Sequence, residues 1–243
     1  MIDIHSHVLY GIDDGARNIE ESIAILKKMS DIGYTKVIAT PHYIENTEYV
    51  ANNKLKKRLV KELNQRLEIE NIPLKLYLGN EIFINEYIMG YIIKDEIYTL
   101  NNTNYLLVEL PLNENFSLGF SLIDELHGKG AQVILAHPER YRSFQNNPEL
   151  IDRYIEMGVL LQGNIDSLNG KYGKEAKNLF IKLLKNRKYF ALGSDIHRSS
   201  SSFFENYERA KSRIIKMAGE DYFNELTEYN PSLILEQELE SVN

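Results

Sequence analysis

Five of the six histidines in this sequence stand close behind short apolar runs or beside carboxylates. His5 and His7 follow the first apolar run, and Asp195 and His197 follow the last. Side chains two residues apart on a strand point to the same side, so each pair could hold one ion. Other polar residues follow four further runs or lie in the first loop: Asp14, His42, Glu81, Glu109 and His137. We therefore predict a metal centre made of these nine side chains.

The types of ligand limit the metal. The chain has no cysteine, which excludes disulfides, zinc–thiolate and iron–sulfur sites, and a thiolate nucleophile. Imidazole and carboxylate ligands suit manganese, iron, zinc or magnesium. Two divalent ions balance the four predicted carboxylates, and three ions leave a net charge of +2. We expect two or three divalent ions, with Mn²⁺ as the first choice, in a cluster that attracts phosphate.

Closely spaced ions lower the pKa of a bridging water and hold both oxygens of an in-line displacement, so phosphate-ester hydrolysis is the natural reaction. Arg140 comes just after His137 and could bind phosphate oxygens through two parallel hydrogen bonds. A salt bridge with Glu139 or Glu149 is the alternative role for Arg140. Arg198 is a weaker second candidate for phosphate binding.

The elements that must position these side chains alternate along the chain. Nearly continuous apolar runs separated by amphipathic stretches predict parallel strands covered by helices. The seven predicted strands are 2–4, 37–39, 74–78, 105–108, 133–136, 159–161 and 189–192. Seven units predict an irregular, TIM-like (β/α) barrel, one unit short of the usual eight, with all carboxyl ends of the strands on one face.

The predicted helices carry recognisable signals. Asn18 is a candidate N-cap with Glu21 three residues later, and Gly33 follows the last apolar position. A helix with leucines every fourth residue from Leu55 has basic residues between them, including Lys56. These basic residues predict a solvated face, and a docking face for a phosphorylated or acidic partner is the alternative. Later helices are predicted at 116–129, 148–157, 173–187 and 203–217.

Composition excludes several classes of protein. The chain has 243 residues, 43% hydrophobic content and a net charge of −7, which argues against a nucleic-acid groove. We find no linker-like segment, so we expect residues 1–243 to form a single domain. The chain opens without a basic-then-apolar leader, and no apolar run approaches ~18 residues. We therefore expect a cytoplasmic protein that does not insert into a membrane.

Seven short motifs follow one another along the chain: His5-Ser6-His7, Asp13-Asp14-Gly15, Ala39-Thr40-Pro41-His42, Gly79-Asn80-Glu81, Val108-Glu109, Ala136-His137-Pro138-Glu139-Arg140 and Gly193-Ser194-Asp195-Ile196-His197. Taken in order, these motifs resemble the polymerase and histidinol phosphatase (PHP) superfamily, and within it the bacterial manganese-dependent tyrosine-protein phosphatases of the CpsB/YwqE type. The resemblance covers residues 1 to about 230.

The resemblance implies a seven-unit barrel with a trinuclear, usually manganese, centre in a phosphoric monoester hydrolase. It also implies that a metal-bridged hydroxide hydrolyses phosphotyrosine on an autokinase that controls capsular or exopolysaccharide export. The nine predicted ligands match the family's ligand positions, and Arg140 matches its phosphate-binding arginine, so His137, Arg140 and Asp195 are the expected catalytic residues. The family's second arginine is missing, because serines occupy 199–202, and Arg198 is its candidate replacement.

Other functions remain open on the sequence. A small-molecule phosphatase acting on histidinol phosphate or a nucleotide would need a deep pocket with fixed polar walls. Phe116, Tyr141 and Phe203 could stack on a tyrosyl ring or could pack in the core. A non-catalytic regulator would be expected to lack ligands, and none is missing. An amidohydrolase usually adds a bridging lysine, and no lysine follows these strands.

Overall fold

Parallel strands form the centre of the computed structural model, which describes residues 1–94, 96–113 and 118–236. A three-stranded sheet has the order β1-β2-β4, and a six-stranded sheet has the order β3-β5-β6-β7-β8-β9. The strands are β1 (Ile2–Asp3), β2 (Lys36–Ala39), β3 (His42–Tyr43), β4 (Lys75–Leu78), β5 (Glu81–Phe83), β6 (Tyr105–Glu109), β7 (Gln132–Ala136), β8 (Leu160–Asn164) and β9 (Ala191–Gly193). All seven predicted strands are present, with bounds shifted by a few residues at most.

The two sheets arise because two strand paths are interrupted. Strand β3 continues the path of β2 after Pro41, which has no N–H to donate to a strand partner. Strand β5 likewise continues β4 after Gly79 and Asn80. The backbone N–H of Gly79 donates to Ala39 O at 2.8 Å, and that of Glu81 donates to Pro41 O at 3.2 Å, so hydrogen bonds connect the paths across the breaks.

The first strand path is linked to the last. Ser6 and Ile196 form a parallel bridge. The N–H of His7 donates to Ile196 O at 3.0 Å, and the N–H of Asp195 donates to His5 O at 2.9 Å. Counting each interrupted path once, seven paths are connected in the order predicted for an irregular TIM-like barrel. These bonds also fix side by side the two ligand-bearing segments that follow the first and the last strand.

Helices follow nearly every strand. They are α1 (Ile19–Asp31), α2 (Asn53–Ile69), α3 (Ile88–Ile93), α4 (Gly119–Gly128), α5 (Arg142–Asn146), α6 (Glu149–Glu156), α7 (Ile165–Asn169), α8 (Lys174–Lys185), α9 (Phe203–Ala218), α10 (Glu220–Asn224) and α11 (Asn230–Glu236). The predicted cap is confirmed, because the Asn18 side chain accepts from the N–H of Glu21 at 2.9 Å. The predicted start of the fourth helix at Phe116 lies outside the described residues. In the described part of the chain, no helix is both long enough and apolar enough to cross a bilayer.

One lysine contradicts the predicted solvated face of α2. Lys56 is fully buried, and its ammonium donates to Asn80 Oδ1 at 2.7 Å and to Glu96 O at 3.3 Å. The Asn80 amide also donates to Pro41 O at 2.8 Å. Lys56 therefore supports the break between β4 and β5, directly before Glu81.

Candidate metal centre and phosphate site

The side chain of Glu81 lies at the centre of the converging strand ends. It is 1% exposed, and its Oε2 lies 3.2 Å from His5 Nε2, 3.3 Å from His7 Nε2 and 3.0 Å from His42 Nδ1. Its other oxygen lies 2.9 Å from His137 Nε2. Five ligand candidates from four separate strand ends thus meet within hydrogen-bond distance.

The structure brings all nine predicted ligands together. They form four overlapping groups, each able to offer its ligand atoms within 4.8 Å of one another: His7, Asp14, His42 and His197; His5, His7 and Glu81; His5, His137 and Asp195; and His42, Glu81 and Glu109. Shared members such as His5 and His7 connect the groups into one cluster. The sixth histidine, His127, lies in the last turn of α4 and belongs to none of these groups.

Unpartnered polar atoms test whether the cluster fits cations. Glu81 Oε2 and His42 Nδ1 are buried and lie 3.0 Å apart, but neither makes a well-aligned hydrogen bond within the described residues. A buried carboxylate oxygen that lacks an aligned donor is costly unless a cation satisfies it. Imidazole nitrogen and carboxylate oxygen are also the ligands that manganese, iron or zinc accept. The donor set therefore fits divalent ions.

Neutral and acidic partners orient the first two histidines from behind. Gln162 Oε1 lies 2.7 Å from His5 Nδ1, and Asp13 Oδ2 lies 2.8 Å from His7 Nδ1. Such contacts fix the tautomer, so that Nε2 points into the cluster. Asp13 is held in turn by the backbone N–H of His42 at 3.1 Å. Asp13 belongs to the Asp13-Asp14-Gly15 motif, whereas no motif in the sequence pointed to Gln162.

The two oxygens of Asp195 have different surroundings. Oδ1 lies 3.4 Å from both His7 Nε2 and His197 Nδ1. Oδ2 accepts from Asn164 Nδ2 at 2.8 Å and Arg140 Nη1 at 2.9 Å, and from the Tyr172 hydroxyl at 3.2 Å. One oxygen therefore faces the histidines, while three donors hold the other.

Two ligand candidates have a left-handed backbone. His137 has φ 34° and Asp195 has φ 50°, which non-glycine residues seldom adopt and which costs energy. At Asp195 this conformation ends the alternation of the strand. Asp195 and His197 fall into different candidate groups, while Asp195 Oδ1 and His197 Nδ1 lie 3.4 Å apart.

The charges of the cluster perturb each other strongly. Burial lowers the pKa of His5, but the negative charges of Glu81 and Asp195 outweigh it and raise this pKa to about 9. Burial raises the pKa of Glu109 to about 8, and the negative charge of Glu81 adds to this effect. Burial and the neighbouring Arg140 lower the pKa of His137 to about 4. In the protein without ions, protons thus partly neutralise the crowded site.

Arg140 faces a cavity of about 590 Å³ beside the cluster. Its alternative pairing with Glu139 or Glu149 is wrong, because its guanidinium pairs with Asp195 instead. Glu139 is buried elsewhere and accepts from Ser167 Oγ at 2.7 Å and from the Tyr189 hydroxyl at 2.9 Å. The cavity is also lined by ligand candidates and by further polar and aromatic residues: Asp14, His42, Glu109, Asp195, His197, Tyr49, Lys171, Tyr172, Arg198, Ser200 and Ser201.

Two of the three aromatic residues considered for stacking on substrate lie in the core. Tyr141 and Phe203 are both fully buried, and the Tyr141 hydroxyl donates to Ala136 O at 2.8 Å. Phe116 lies outside the described residues. Among the described residues, the aromatic side chains that line the cavity are Tyr49, whose ring centroid is 5.9 Å from that of His42, and Tyr172.

Comparison with known proteins agrees with this geometry. CapC of Staphylococcus aureus is 34% identical to this chain, over 98% of this chain and 92% of that protein. The tyrosine-protein phosphatase YwqE of Bacillus subtilis is 33% identical, over 86% of this chain and 82% of that protein.

A crystal structure from work on YwqE of Bacillus subtilis and CpsB of Streptococcus pneumoniae, described as metal-dependent tyrosine phosphatases, matches with a TM-score of 0.89. It is 32% identical over 98% of this chain and 96% of that chain. The family model described as "Capsular polysaccharide synthesis, CpsB/CapC" matches residues 1–236. The chain therefore belongs to the CpsB/CapC family.

Proposed function

We propose that this protein is a metal-dependent protein-tyrosine phosphatase that hydrolyses phosphotyrosine. The observation that carries the proposal is the convergence of nine imidazole and carboxylate side chains beside a cavity that Arg140 also lines. Family membership supports it, because related proteins bear the name tyrosine-protein phosphatase. The chain has no cysteine, so the phosphocysteine route of common tyrosine phosphatases is closed to it.

The residues of the site would have two roles, metal binding and phosphate binding. His5, His7, Asp14, His42, Glu81, Glu109, His137, Asp195 and His197 would hold two or three divalent ions, with Mn²⁺ preferred. Bound ions would supply Lewis acidity and make a water nucleophilic at neutral pH. Arg140 is only 22% exposed and would orient the phosphate from the side of the cavity next to Asp195. Its guanidinium is permanently charged and suits phosphate oxygens.

Arg198 would bind the phosphate or the leaving group in place of the missing second arginine. It lines the same cavity as Arg140, next to Ser200 and Ser201. Its Nη1 donates to His197 O at 3.1 Å, which places its charge beside a ligand candidate.

The substrate would be a phosphotyrosine-bearing protein, namely a bacterial tyrosine autokinase that controls capsular or exopolysaccharide export. The family description, which refers to capsular polysaccharide synthesis, supports this choice. We also propose that residues 1–243 act as one metallophosphatase domain. A cytoplasmic location stays a prediction.

A panel of substrates tests the proposal. We expect Mn²⁺-dependent turnover of a phosphotyrosyl peptide to exceed that of a phosphoseryl peptide and of histidinol phosphate. His137→Ala should reduce turnover at least about 100-fold, because metal-site residues contribute several kcal/mol to the transition state. The matched control His127→Ala removes the histidine at the end of α4 and should keep full activity. A preference for histidinol phosphate, or full activity of His137→Ala, would contradict the proposal.

A further inference from the structure

Tyr172 contacts both Arg140 and Asp195 in the candidate site. It was not singled out by the sequence analysis. The guanidinium carbon of Arg140 is 4.4 Å from the centroid of the Tyr172 ring. The Tyr172 hydroxyl donates to Asp195 Oδ2 at 3.2 Å, the same oxygen that accepts from Arg140. Tyr172 is partly buried and lines the cavity itself. Ring and hydroxyl thus contact the predicted phosphate-binding residue and a predicted ligand at once.

The local backbone explains how Tyr172 reaches this place. Helix α7 ends at Asn169, and its C-cap residue Gly170 has a φ of 88°, which is easily reached only by glycine. A second glycine, Gly173, has φ 95°, and its N–H donates to Gly170 O at 3.1 Å. The chain therefore makes a tight turn between α7 and α8, with Tyr172 inside the turn. The turn is fixed by glycine geometry on both sides, which suits a residue that must be held in place.

The contact limits the positions that Arg140 can adopt. An arginine side chain has four rotatable bonds and loses much conformational entropy when it binds an anion. Stacking on an aromatic face restrains the guanidinium plane, and the bond from Nη1 to Asp195 restrains its rotation in that plane. Within the described contacts, the remaining N–H groups of Arg140 have no acceptor. They are available to an anion in the cavity.

We propose that Tyr172 is a positioning residue for phosphate: its ring holds the Arg140 guanidinium in the orientation that receives the phosphate group of the substrate. This inference rests on the proposed function. The ring is the essential part, and the hydroxyl contributes less, because Asn164 and Arg140 also donate to Asp195 Oδ2.

Binding of inorganic phosphate tests the inference without turnover. Calorimetry on the Mn²⁺-loaded full chain should show that Tyr172→Leu weakens phosphate affinity about tenfold, equal to about 1.4 kcal/mol. Tyr172→Phe keeps the ring and should stay within about threefold of wild type. With a phosphotyrosyl peptide, we expect Tyr172→Leu to raise KM more than it lowers kcat. If Tyr172→Leu does not fold, Tyr172→Met also removes the ring and carries the same expectation.

The chain offers a matched control. The Arg153 guanidinium carbon lies 4.4 Å from the Phe120 ring centroid, the same distance as in the Arg140–Tyr172 pair, but Phe120 does not line the cavity. Phe120→Leu should leave phosphate affinity unchanged. Wild-type affinity in Tyr172→Leu, or an equal loss in Tyr172→Phe, would overturn the role of the ring. Absence of hydrolysis by wild type would refute the proposed function instead, and the phosphate-binding comparison would still decide the role of Tyr172.

Discussion

The contact between Gln162 and His5 gives a prediction at the scale of the residue. Gln162→Leu keeps a similar volume but removes the oxygen 2.7 Å from His5 Nδ1. The imidazole then loses the partner that fixes its tautomer, so we expect Mn²⁺ affinity to fall about 10- to 100-fold. Equilibrium dialysis with metal analysis measures this loss.

A second strand glutamine provides the control. Gln132 donates to Gly158 O at 2.7 Å, outside the metal centre. Gln132→Leu should leave Mn²⁺ affinity unchanged. Equal affinities in both variants and wild type would show that Gln162 does not support the site.

Individual residues at the strand ends were the most predictable part of this molecule. Histidine and carboxylate directly behind an apolar run are rare enough to stand out, and parallel strands bring such positions to one face. The side chains Gln162, Asn164 and Tyr172, which support the ligands, were not predictable. They are neutral, and their partners His5 and Asp195 lie far away in sequence. Only the folded chain shows these contacts.

At the scale of elements, apolar runs located the strands but not their full extent. Strands β3 and β5 were missed because polar residues interrupt the apolar pattern there. The first residues of these strands are His42 and Glu81, two predicted ligands. The polar residues that form the site thus also interrupt the apolar pattern by which these strands would have been predicted. The prediction for Lys56 on α2 was wrong for a related reason, because its basic neighbours suggested a solvated face whereas Lys56 itself is buried.

The first loop gives a prediction at this scale. A Cβ added at Gly15 would lie 2.1 Å from the backbone oxygen of His7 and 2.8 Å from Asp13 Oδ1. The backbone at Gly15 or His7 must therefore move, and the segment that carries Asp13 and Asp14 must move with it. We expect Gly15→Ala to lower the free energy of unfolding by about 1–3 kcal/mol and to weaken Mn²⁺ binding.

Thermal unfolding and metal titration check this expectation. The control is Gly90→Ala in α3, where a Cβ meets nothing within 4 Å and should change stability by about 1 kcal/mol or less, in the favourable direction. A Gly15→Ala protein as stable and as tight for metal as wild type would mean that the loop has more freedom than its packing indicates.

At the scale of the whole molecule, the ionisable groups of the site make the metal-free fold less stable as pH rises. The folded-state pKa of His5 is about 9, against an ordinary value of 6.5. That of Glu109 is about 8, against 4.5. For each group, the folded chain binds more protons than the unfolded chain at pH values between the ordinary pKa and the raised pKa. The free energy of unfolding therefore falls as pH increases through that range.

We therefore expect the chelated protein to lose thermal stability from pH 6.5 to 9. Metal binding requires neutral imidazole and so displaces these protons, and Mn²⁺ affinity should rise over the same range. With Mn²⁺ at about 100 times the Kd of a site, each bound ion should stabilise the fold by about 2.7 kcal/mol. Melting curves recorded with chelator and with Mn²⁺ across this pH range measure both effects on thermal stability. A chelated protein that becomes more stable towards pH 9 would contradict these pKa directions.

The dependence of hydrolysis on bound metal is tested by adding Mn²⁺ back to fully chelated protein and following phosphotyrosyl-peptide turnover, with bound metal counted in each sample. We predict negligible turnover without metal and full turnover once two or three ions are bound per chain. Full turnover in protein shown to carry no metal would rule out the metal-dependent reaction.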